Sequence, residues 1–177
     1  MALVCYEKCI ECEQNEADAA PHYREAAIVV KEVDSEKYVK LTKQAIDMYS
    51  LSGRSSTGAT MARDCAQKLE EEYDYENAAE MYQKASKLYE MDNQATNSQS
   101  MLLKQVELEL LTKQYTKLPK IIKTYESIAN KYLRQPLLKS NASKLFFISS
   151  LCFMVNDDLI GAKKQIKVYG LEDPNFD

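Results

Sequence analysis

The segment Ala78-Ala79-Glu80-Met81-Tyr82-Gln83-Lys84-Ala85 places two small residues one helical turn before a tyrosine and a third small residue one turn after it. The same spacing recurs in residues 19–26 around Tyr23, in residues 121–128 around Tyr125 with isoleucines as the neighbours, and more loosely in residues 38–49. A small residue and a large aromatic residue on successive turns form a hole and a knob on one helix face. Neighbouring helices of a stacked array interlock through such pairs.

The spacing between these copies indicates the type of array. With Thr42 in the aromatic position, that position recurs at Thr42, Tyr82 and Tyr125, in steps of 40 and 43 residues. This period is typical of helix-hairpin repeats of the tetratricopeptide and HEAT kind, and it is longer than the regular tetratricopeptide repeat of about 34 residues. We therefore predict an all-α, right-handed, tetratricopeptide-like solenoid, a twisted sheet of antiparallel helices in a single domain over residues 1–177. Such arrays bind other proteins.

Helix-forming composition and local end signals divide the chain into nine predicted helices. Only four glycines and four prolines occur in 177 residues, which favours long helices with short connections. The predicted helices cover residues 1–13, 16–32, 35–51, 55–72, 75–91, 95–112, 118–133, 136–155 and 157–169. The helix over 136–155 has the broadest apolar face, so we expect it to be the most buried.

Several residues carry the end signals of these helices. Asp34, Asp74 and the pair Asp157-Asp158 are suited to cap the helices that follow them, and Ser52-Gly53 is suited to close the third helix. Pro119 and Pro136 are expected in first helical turns, where a missing N–H is tolerated.

The charge of the chain is unevenly distributed. The whole chain carries a formal charge of −4, but residues 1–92 have 19 acidic and 11 basic side chains, whereas residues 93–177 have 8 acidic and 12 basic ones. An array with an acidic half and a basic half suits an adaptor between charged partners, although ordinary solvated faces explain the pattern equally well. The basic half lacks the dense patch with exposed aromatic residues that nucleic acid requires, so we expect no nucleic-acid partner.

The cysteine count and the apolar runs bear on location. Five cysteines, an odd number, favour a reducing compartment and hence the cytoplasm. No signal peptide is recognisable, and the longest apolar run, residues 145–155, is too short to cross a bilayer. No predicted helix combines a basic face with a bulky apolar face, so we expect contact with membranes through partners only.

No residue pattern predicts catalysis, a cofactor or a metal site. Cys5, Cys9 and Cys12 share one face of the first helix, but a structural zinc site would need a fourth ligand, and we expect these thiols to pack in the core. His22 is the only histidine, and no nucleophile or carboxylate is spaced to use it. Gly-Lys-Ser/Thr and His-Glu-x-x-His motifs are absent from the sequence. We predict that the chain is not an enzyme.

Several segments resemble the soluble NSF attachment proteins, most closely the alpha form. The strongest are Gln135-Pro136-Leu137-Leu138-Lys139, Lys144-Leu145-Phe146-Phe147 and Ser150-Leu151-Cys152-Phe153, with weaker similarity in residues 44–54, 76–85 and 157–176. The family recruits a membrane-fusion AAA+ ATPase to SNARE complexes. The resemblance implies an adaptor without chemistry of its own, which binds the SNARE four-helix bundle and the ATPase NSF and associates peripherally with membranes.

The resemblance also implies candidate binding residues and some departures. The family binds the SNARE bundle through basic side chains, and Arg54 and Lys139 stand at matching positions. Thr60, Ser100 and Ser140 stand where the alpha form has lysine, lysine and tyrosine, and Glu32 also falls at a basic position. The family's apolar N-terminal membrane loop and its C-terminal bundle, which contacts the ATPase, have no counterpart in the sequence. We therefore expect this portion of the array to bind SNARE bundles weakly and not to stimulate their disassembly by itself.

A different class of binding protein remains as an alternative. A tetratricopeptide-type peptide-binding scaffold or co-chaperone would carry a carboxylate clamp of lysine and asparagine within one groove. No such clamp is recognisable at fixed repeat positions in the sequence.

Overall fold

The protein is described by a computed structural model that covers residues 2–12, 16–113, 115–173 and 176, without the side chains of residues 2, 7, 10–12, 16 and 17. Nine α-helices and no strand lie within these residues. The helices are α1 (Ala2–Cys12), α2 (Glu16–Val30), α3 (Ser35–Leu51), α4 (Ser55–Glu71), α5 (Tyr75–Met91), α6 (Ala95–Leu111), α7 (Leu118–Leu133), α8 (Ala142–Val155) and α9 (Leu159–Glu172). Helices α1 to α5, and likewise α7 to α9, pack against their neighbours in sequence, and the short connections make these neighbours antiparallel hairpins. The predicted all-α helix-hairpin fold is confirmed.

Two compact units divide the chain, residues 1–105 and residues 106–177, and α6 begins in the first and ends in the second. The first unit contains α1 to α5 and most of α6. The second contains the end of α6 with α7, α8 and α9. The single domain over residues 1–177 stays a prediction.

The helices of the first unit follow a strict register. α3, α4, α5 and α6 begin at residues 35, 55, 75 and 95, so each helix starts twenty residues after the previous one. The residue two positions after each helix has a positive φ: Gly53 (72°), Tyr73 (63°), Asn93 (56°) and Lys113 (55°). A left-handed residue at this position ends a helix and lets the chain reverse. One repeat of 40 residues thus consists of two helices of equal length, each followed by a turn of the same backbone conformation.

The backbone bonds of these turns are also equal. After α3, the amide N–H of Ser52 donates to the Met48 carbonyl (3.0 Å), Gly53 N–H to Ser50 (3.1 Å) and Arg54 N–H to Tyr49 (2.8 Å). The same three bonds follow α4, α5 and α8. They satisfy carbonyls that the last helical turn would leave without a donor. The pair Ser52-Gly53 therefore closes α3 as predicted.

Three aspartates cap the helices that follow them. Carboxylates of Asp34, Asp74 and Asp158 accept from backbone N–H groups three residues later, at 2.9, 3.3 and 2.7 Å. These caps confirm the predicted starts of α3, α5 and α9. Asp157 does not cap α9, because it has the left-handed φ of the preceding turn (58°).

An extra 3-10 turn, Tyr115–Lys117, explains the longer repeat step of 43 residues. It delays the start of α7 to Leu118, and Pro119 lies in the first turn of α7 as predicted. The Tyr125 position therefore follows the Tyr82 position by three residues more than a regular repeat would give.

The predicted start of the eighth helix at residue 136 is wrong. Residues 134–138 form turns, a 3-10 turn covers Lys139–Asn141, and α8 begins at Ala142. Pro136 disfavours a helical conformation at the residue before it, and Leu137 is 94 % exposed, so packing does not hold it in a helix. Pro136 consequently does not lie in a first helical turn.

Small residues and tyrosines build the core of the first unit. Tyr82 is 1 % exposed, Thr42 is buried, and Tyr23 packs partly buried against the cluster of Ala20, Ala45 and Tyr49. The Tyr82 hydroxyl donates to Glu70 (2.8 Å). Eight alanines of the unit are fully buried, which allows the helices to approach closely. The predicted knob-and-hole packing is confirmed.

Aromatic stacking holds the second unit together. The rings of Phe146 on α8 and Tyr169 on α9 stack with centroids 4.4 Å apart. The Tyr169 hydroxyl donates to Glu126 on α7, so the Ser149 hydroxyl, 2.9 Å away, acts as donor to Tyr169. Burial raises the pKa of Tyr169, and the Glu126 carboxylate raises it further. One side chain thereby joins all three helices of the unit. Tyr125 is also buried between helices.

The prediction that α8 is the most buried helix is wrong. Leu145 and Phe146 are buried, but Phe147, Leu151, Met154 and Val155 are exposed. These four residues follow a spacing of about one turn and form one apolar face. α8 is therefore apolar on two faces, of which one is buried and the other is exposed beside Ile166 of α9.

We predict that Tyr82→Ala lowers the free energy of unfolding by about 3 kcal/mol, since it leaves a cavity at a buried aromatic position. Tyr82→Phe keeps the ring and loses the bond to Glu70, so it should cost only about 1 kcal/mol. Urea unfolding followed by circular dichroism measures both. Equal losses for the two variants would contradict the packing role of the ring.

A second prediction concerns the left-handed turns. Gly53→Ala should destabilise by about 1 kcal/mol and Tyr73→Gly should stabilise by a similar amount, because a left-handed φ is costly for a residue with a Cβ. A Cβ at Gly53 would have no heavy atom within 4 Å, so sterics within the turn alone cause the loss. Thermal unfolding of both variants provides the test, and shifts of the same sign would refute it.

Candidate functional site

Ion pairs neutralise the layer formed by α3 and α5 in the first unit. Lys43 on α3 lies 3.1 Å from Glu80 on α5, and one turn further along, Asp47 on α3 lies 3.7 Å from Lys84 on α5. The two pairs have opposite polarity, so no net charge accumulates between the helices. These four side chains are therefore engaged with each other and contribute little to the attraction of a charged partner.

Polar bonds tie α4 to α6 in a similar way. Gln94 donates to Ser56 (2.8 Å), and Lys104 lies 3.2 Å from the same Glu70 that accepts from Tyr82. Lys68, also on α4, contacts Glu72 at 3.1 Å. These basic side chains are engaged within the unit and are not available for a partner without breaking an existing pair.

A groove of about 660 Å³ lies between α3 and α5. It brings together Lys40, Lys43, Gln44 and Asn77, the residue types of a carboxylate clamp, which sequence spacing did not reveal. Four acidic residues share its lining, namely Glu36, Asp47, Glu72 and Asp74. Two lysines against four carboxylates make the groove unsuitable for an anionic peptide end.

Arg54, one of the two candidate residues, is the last residue of the turn between α3 and α4. It occupies the N-cap position of α4, its side chain makes no capping hydrogen bond, and it is exposed. No ion pair of Arg54 occurs among the described residues. The guanidinium is therefore available to a partner from the second helix of the α3–α4 hairpin.

Lys139, the other candidate, has an equivalent position in the second unit. It begins the 3-10 turn that leads into α8, the second helix of the α7–α8 hairpin, and it is exposed. Its ammonium likewise has no ion pair in the described part of the chain. Arg54 and Lys139 lie in different units, and their role in binding stays a prediction.

A basic stripe runs along α7. Lys120, Lys123, Lys131 and Arg134 are exposed, whereas the opposite face of α7, with Ile121, Ile122, Tyr125 and Ile128, is buried. The four cations recur at helical spacing, so a helical wheel of the sequence would have found the stripe. Within the described residues, these side chains form no ion pair. Among the lysines after residue 105, Lys117 is paired, with Glu109 at 3.0 Å.

The described cysteines divide into an exposed pair and a buried pair. No cluster of three metal-ligating residues occurs among the residues that the structure describes. Cys5 and Cys9 are exposed, so the expected core packing is wrong for them, and Cys12 lies outside the described side chains. Cys65 and Cys152 are buried. Burial raises the pKa of Cys65 to about 12 and also raises that of Cys152, which keeps both in the unreactive thiol form.

We predict that native protein at neutral pH is alkylated rapidly at Cys5 and Cys9 and slowly at Cys65 and Cys152. The raised thiol pKa means that raising the pH to 9 should still leave Cys65 protected, because thiolate forms only near pH 12. Peptide mapping by mass spectrometry after iodoacetamide treatment measures this, with urea-unfolded protein as the control. Rapid labelling of Cys65 in the folded chain would contradict it.

No helix in the described part of the chain is both long and apolar enough to cross a bilayer.

Comparison with known proteins identifies relatives for the whole chain. A family model described as soluble NSF attachment protein matches residues 1–177. The alpha-soluble NSF attachment protein of Dictyostelium discoideum is 30 % identical over 127 residues, covering 72 % of this chain and 43 % of the relative. The human alpha-soluble NSF attachment protein is 28 % identical over 157 residues, covering 88 % and 52 %. A probable vesicular-fusion protein sec17 homolog of Neurospora crassa is 24 % identical, covering 90 % and 54 %. The chain thus spans about half the length of these relatives.

A solved structure supports the fold. The crystal structure of BtubC (BKLC) from P. vanneervenii superposes with a TM-score of 0.55, covering 94 % of this chain and 70 % of that one. The two sequences are 12 % identical, so the similarity concerns the helical architecture alone.

Proposed function

Because the chain belongs to the soluble NSF attachment protein family, we propose that it is an adaptor in vesicle trafficking. The proposed adaptor binds SNARE complexes and recruits the membrane-fusion AAA+ ATPase that disassembles them. It catalyses no reaction, and nucleotide is bound by the ATPase alone. Its proposed location is the cytoplasm, peripheral to membranes.

The observation that carries the SNARE part of the proposal is the availability of Arg54 and Lys139. Most other basic residues near α3, α4 and α5 are held in ion pairs, as in Lys43–Glu80 and Lys104–Glu70. Arg54 and Lys139 are instead exposed, and each stands where the chain enters the second helix of a hairpin. An acidic helical bundle is the complementary partner, because free cations on a rigid scaffold steer such a partner and fix its orientation.

The rival function, a peptide-binding scaffold, has one specific observation in its favour. The α3–α5 groove does place Lys40, Lys43 and Asn77 together. However, Lys43 is held by Glu80 (3.1 Å), and Asn77 donates to Asp74 (2.7 Å). A carboxylate entering the groove would have to replace both interactions in the presence of four acidic neighbours. We therefore favour the adaptor.

We predict that an assembled SNARE bundle retains the chain at low salt and loses it as ionic strength rises, since charges further apart than about 8 Å are screened at physiological salt. Arg54→Glu and Lys139→Glu should each weaken binding about fivefold, mainly by slowing association. Surface plasmon resonance with an immobilised bundle measures both rates.

The matched control is Lys87→Glu, a charge reversal at an exposed lysine of α5. It should leave bundle binding unchanged. Binding that is insensitive to salt and to the reversals at Arg54 and Lys139, but is abolished by Lys40→Glu, would favour the peptide groove. Retention of the ATPase on the bundle only when the chain is present tests the recruiting role separately.

A further inference from the structure

The outward stripe of α9 combines apolar and basic residues. Ile160 and Leu171 are each 85 % exposed, and Lys164 and Lys167 lie exposed between them. Successive members of the stripe are three or four residues apart, so they follow one line along the helix. The two apolar side chains are about 16 Å apart along the axis. Lys163 is exposed beside this line. We call these five residues the α9 ridge.

Comparison with α5 shows which ridge positions face outward even in a helix that has neighbours on both sides. Asp74 caps α5 as Asp158 caps α9, so the helices can be aligned from their caps. Glu76, Glu80 and Lys87 then correspond to Ile160, Lys164 and Leu171. These three residues of α5 are exposed although α4 and α6 flank α5. These three positions therefore face outward in a helix with neighbours on both sides, whereas Lys163 and Lys167 correspond to the buried Ala79 and the half-buried Gln83. At the two ends of the line, α9 carries isoleucine and leucine where α5 carries charges.

Positive charge is frequent on α9 and on the helix bonded to it. The hydrogen bond from Tyr169 to Glu126 joins α7 to the side of α9 opposite the ridge, and α7 carries its own basic stripe of Lys120, Lys123, Lys131 and Arg134. The acidic residues of the two helices and the turn before α9 are mostly engaged or peripheral. Glu126 accepts from Tyr169, Asp158 caps α9, and Asp157 and Glu172 lie at its two ends. Seven exposed cations thus lie on one pair of helices, with few acidic groups between them.

We propose that the α9 ridge binds the surface of an anionic lipid bilayer directly. Two large apolar side chains that protrude from a ridge require an apolar medium that can receive them without preformed pockets. The boundary between headgroups and acyl chains provides such a medium. The lysines between the two side chains then lie at the level of anionic headgroups, where each contributes to binding. The proposal goes beyond the expectation from the sequence that the chain contacts membranes through partners only.

An acidic protein helix is the competing occupant. It would satisfy the lysines, but it would leave Ile160 and Leu171 in solvent unless it had an apolar pocket for each, about 16 Å apart. The lipid assignment uses both kinds of side chain, and it does not depend on SNARE binding.

The test is co-sedimentation of the whole chain with vesicles of phosphatidylcholine alone and of phosphatidylcholine with phosphatidylserine. We expect binding only to vesicles with phosphatidylserine, and weaker binding as salt rises. Ile160→Ser combined with Leu171→Ser should weaken binding at least tenfold and leave its salt dependence unchanged. Lys164→Glu combined with Lys167→Glu should weaken vesicle binding, by about fivefold or more for each lysine replaced, and should reduce the salt dependence of that binding.

Matched controls are Val33→Ser, which changes a valine that is 88 % exposed in the first unit, and Lys87→Glu on α5. Both should bind vesicles as the unmodified chain does. All variants change exposed positions, and thermal unfolding by circular dichroism verifies that they fold.

Three results would overturn the proposal. One is that the unmodified chain does not bind phosphatidylserine vesicles at low salt. Another is that the controls lose binding as the ridge variants do. A third is that the ridge variants lose binding to an acidic SNARE bundle but not to vesicles, which would assign the ridge to a protein partner. Failure of the bundle experiment with Arg54 and Lys139 would leave this result unaffected.

Discussion

The left-handed turn after each helix is the constraint on which the other features of the first unit depend. Because α3 to α6 have equal lengths and equal turns, residues on alternate helices meet at a constant sequence separation. Lys43–Glu80, Asp47–Lys84 and Ser35–Glu72 all join residues 37 positions apart. A turn with one residue more would rotate and shift the next helix and break these contacts together. The ion pairs are thus a consequence of the turn geometry, and they do not determine it.

Local signals in the sequence were sufficient for the fold because they act within a few residues. The capping aspartates, Gly53 and the small-aromatic spacing around Tyr82 each specify a contact or a bond with a near neighbour in sequence. All three appear in the structure as expected. At residues 136–141 the apolar pattern continues, but the backbone is not α-helical. Pro136 disfavours a helical conformation at the residue before it, and the exposed Leu137 makes no packing contact that would stabilise a helix.

Burial and the candidate sites were predicted less well, since they depend on which surfaces meet in space. The number of apolar residues in α8 is clear from the sequence. It does not reveal that Phe147 and Leu151 are exposed to solvent. Arg54 and Lys139 were recognised by resemblance, whereas the groove that contains Lys40 and Asn77 joins residues far apart in sequence. The spacing of the α9 ridge can be read from the sequence. The exposure of Ile160 and Leu171 required the structure.

The two proposed surfaces would reinforce each other. SNARE proteins act at membranes, so an adaptor bound to a lipid surface through the α9 ridge meets a SNARE bundle there at a raised effective concentration. Linked weak contacts can increase the overall affinity by about a hundredfold or more without any new interaction. Exposed charges such as Arg54 and Lys139 contribute little individually, because water and salt screen them. A chain that holds several of its first-unit cations in internal ion pairs can therefore still bind at a membrane, provided that the lipid surface and the bundle are engaged together.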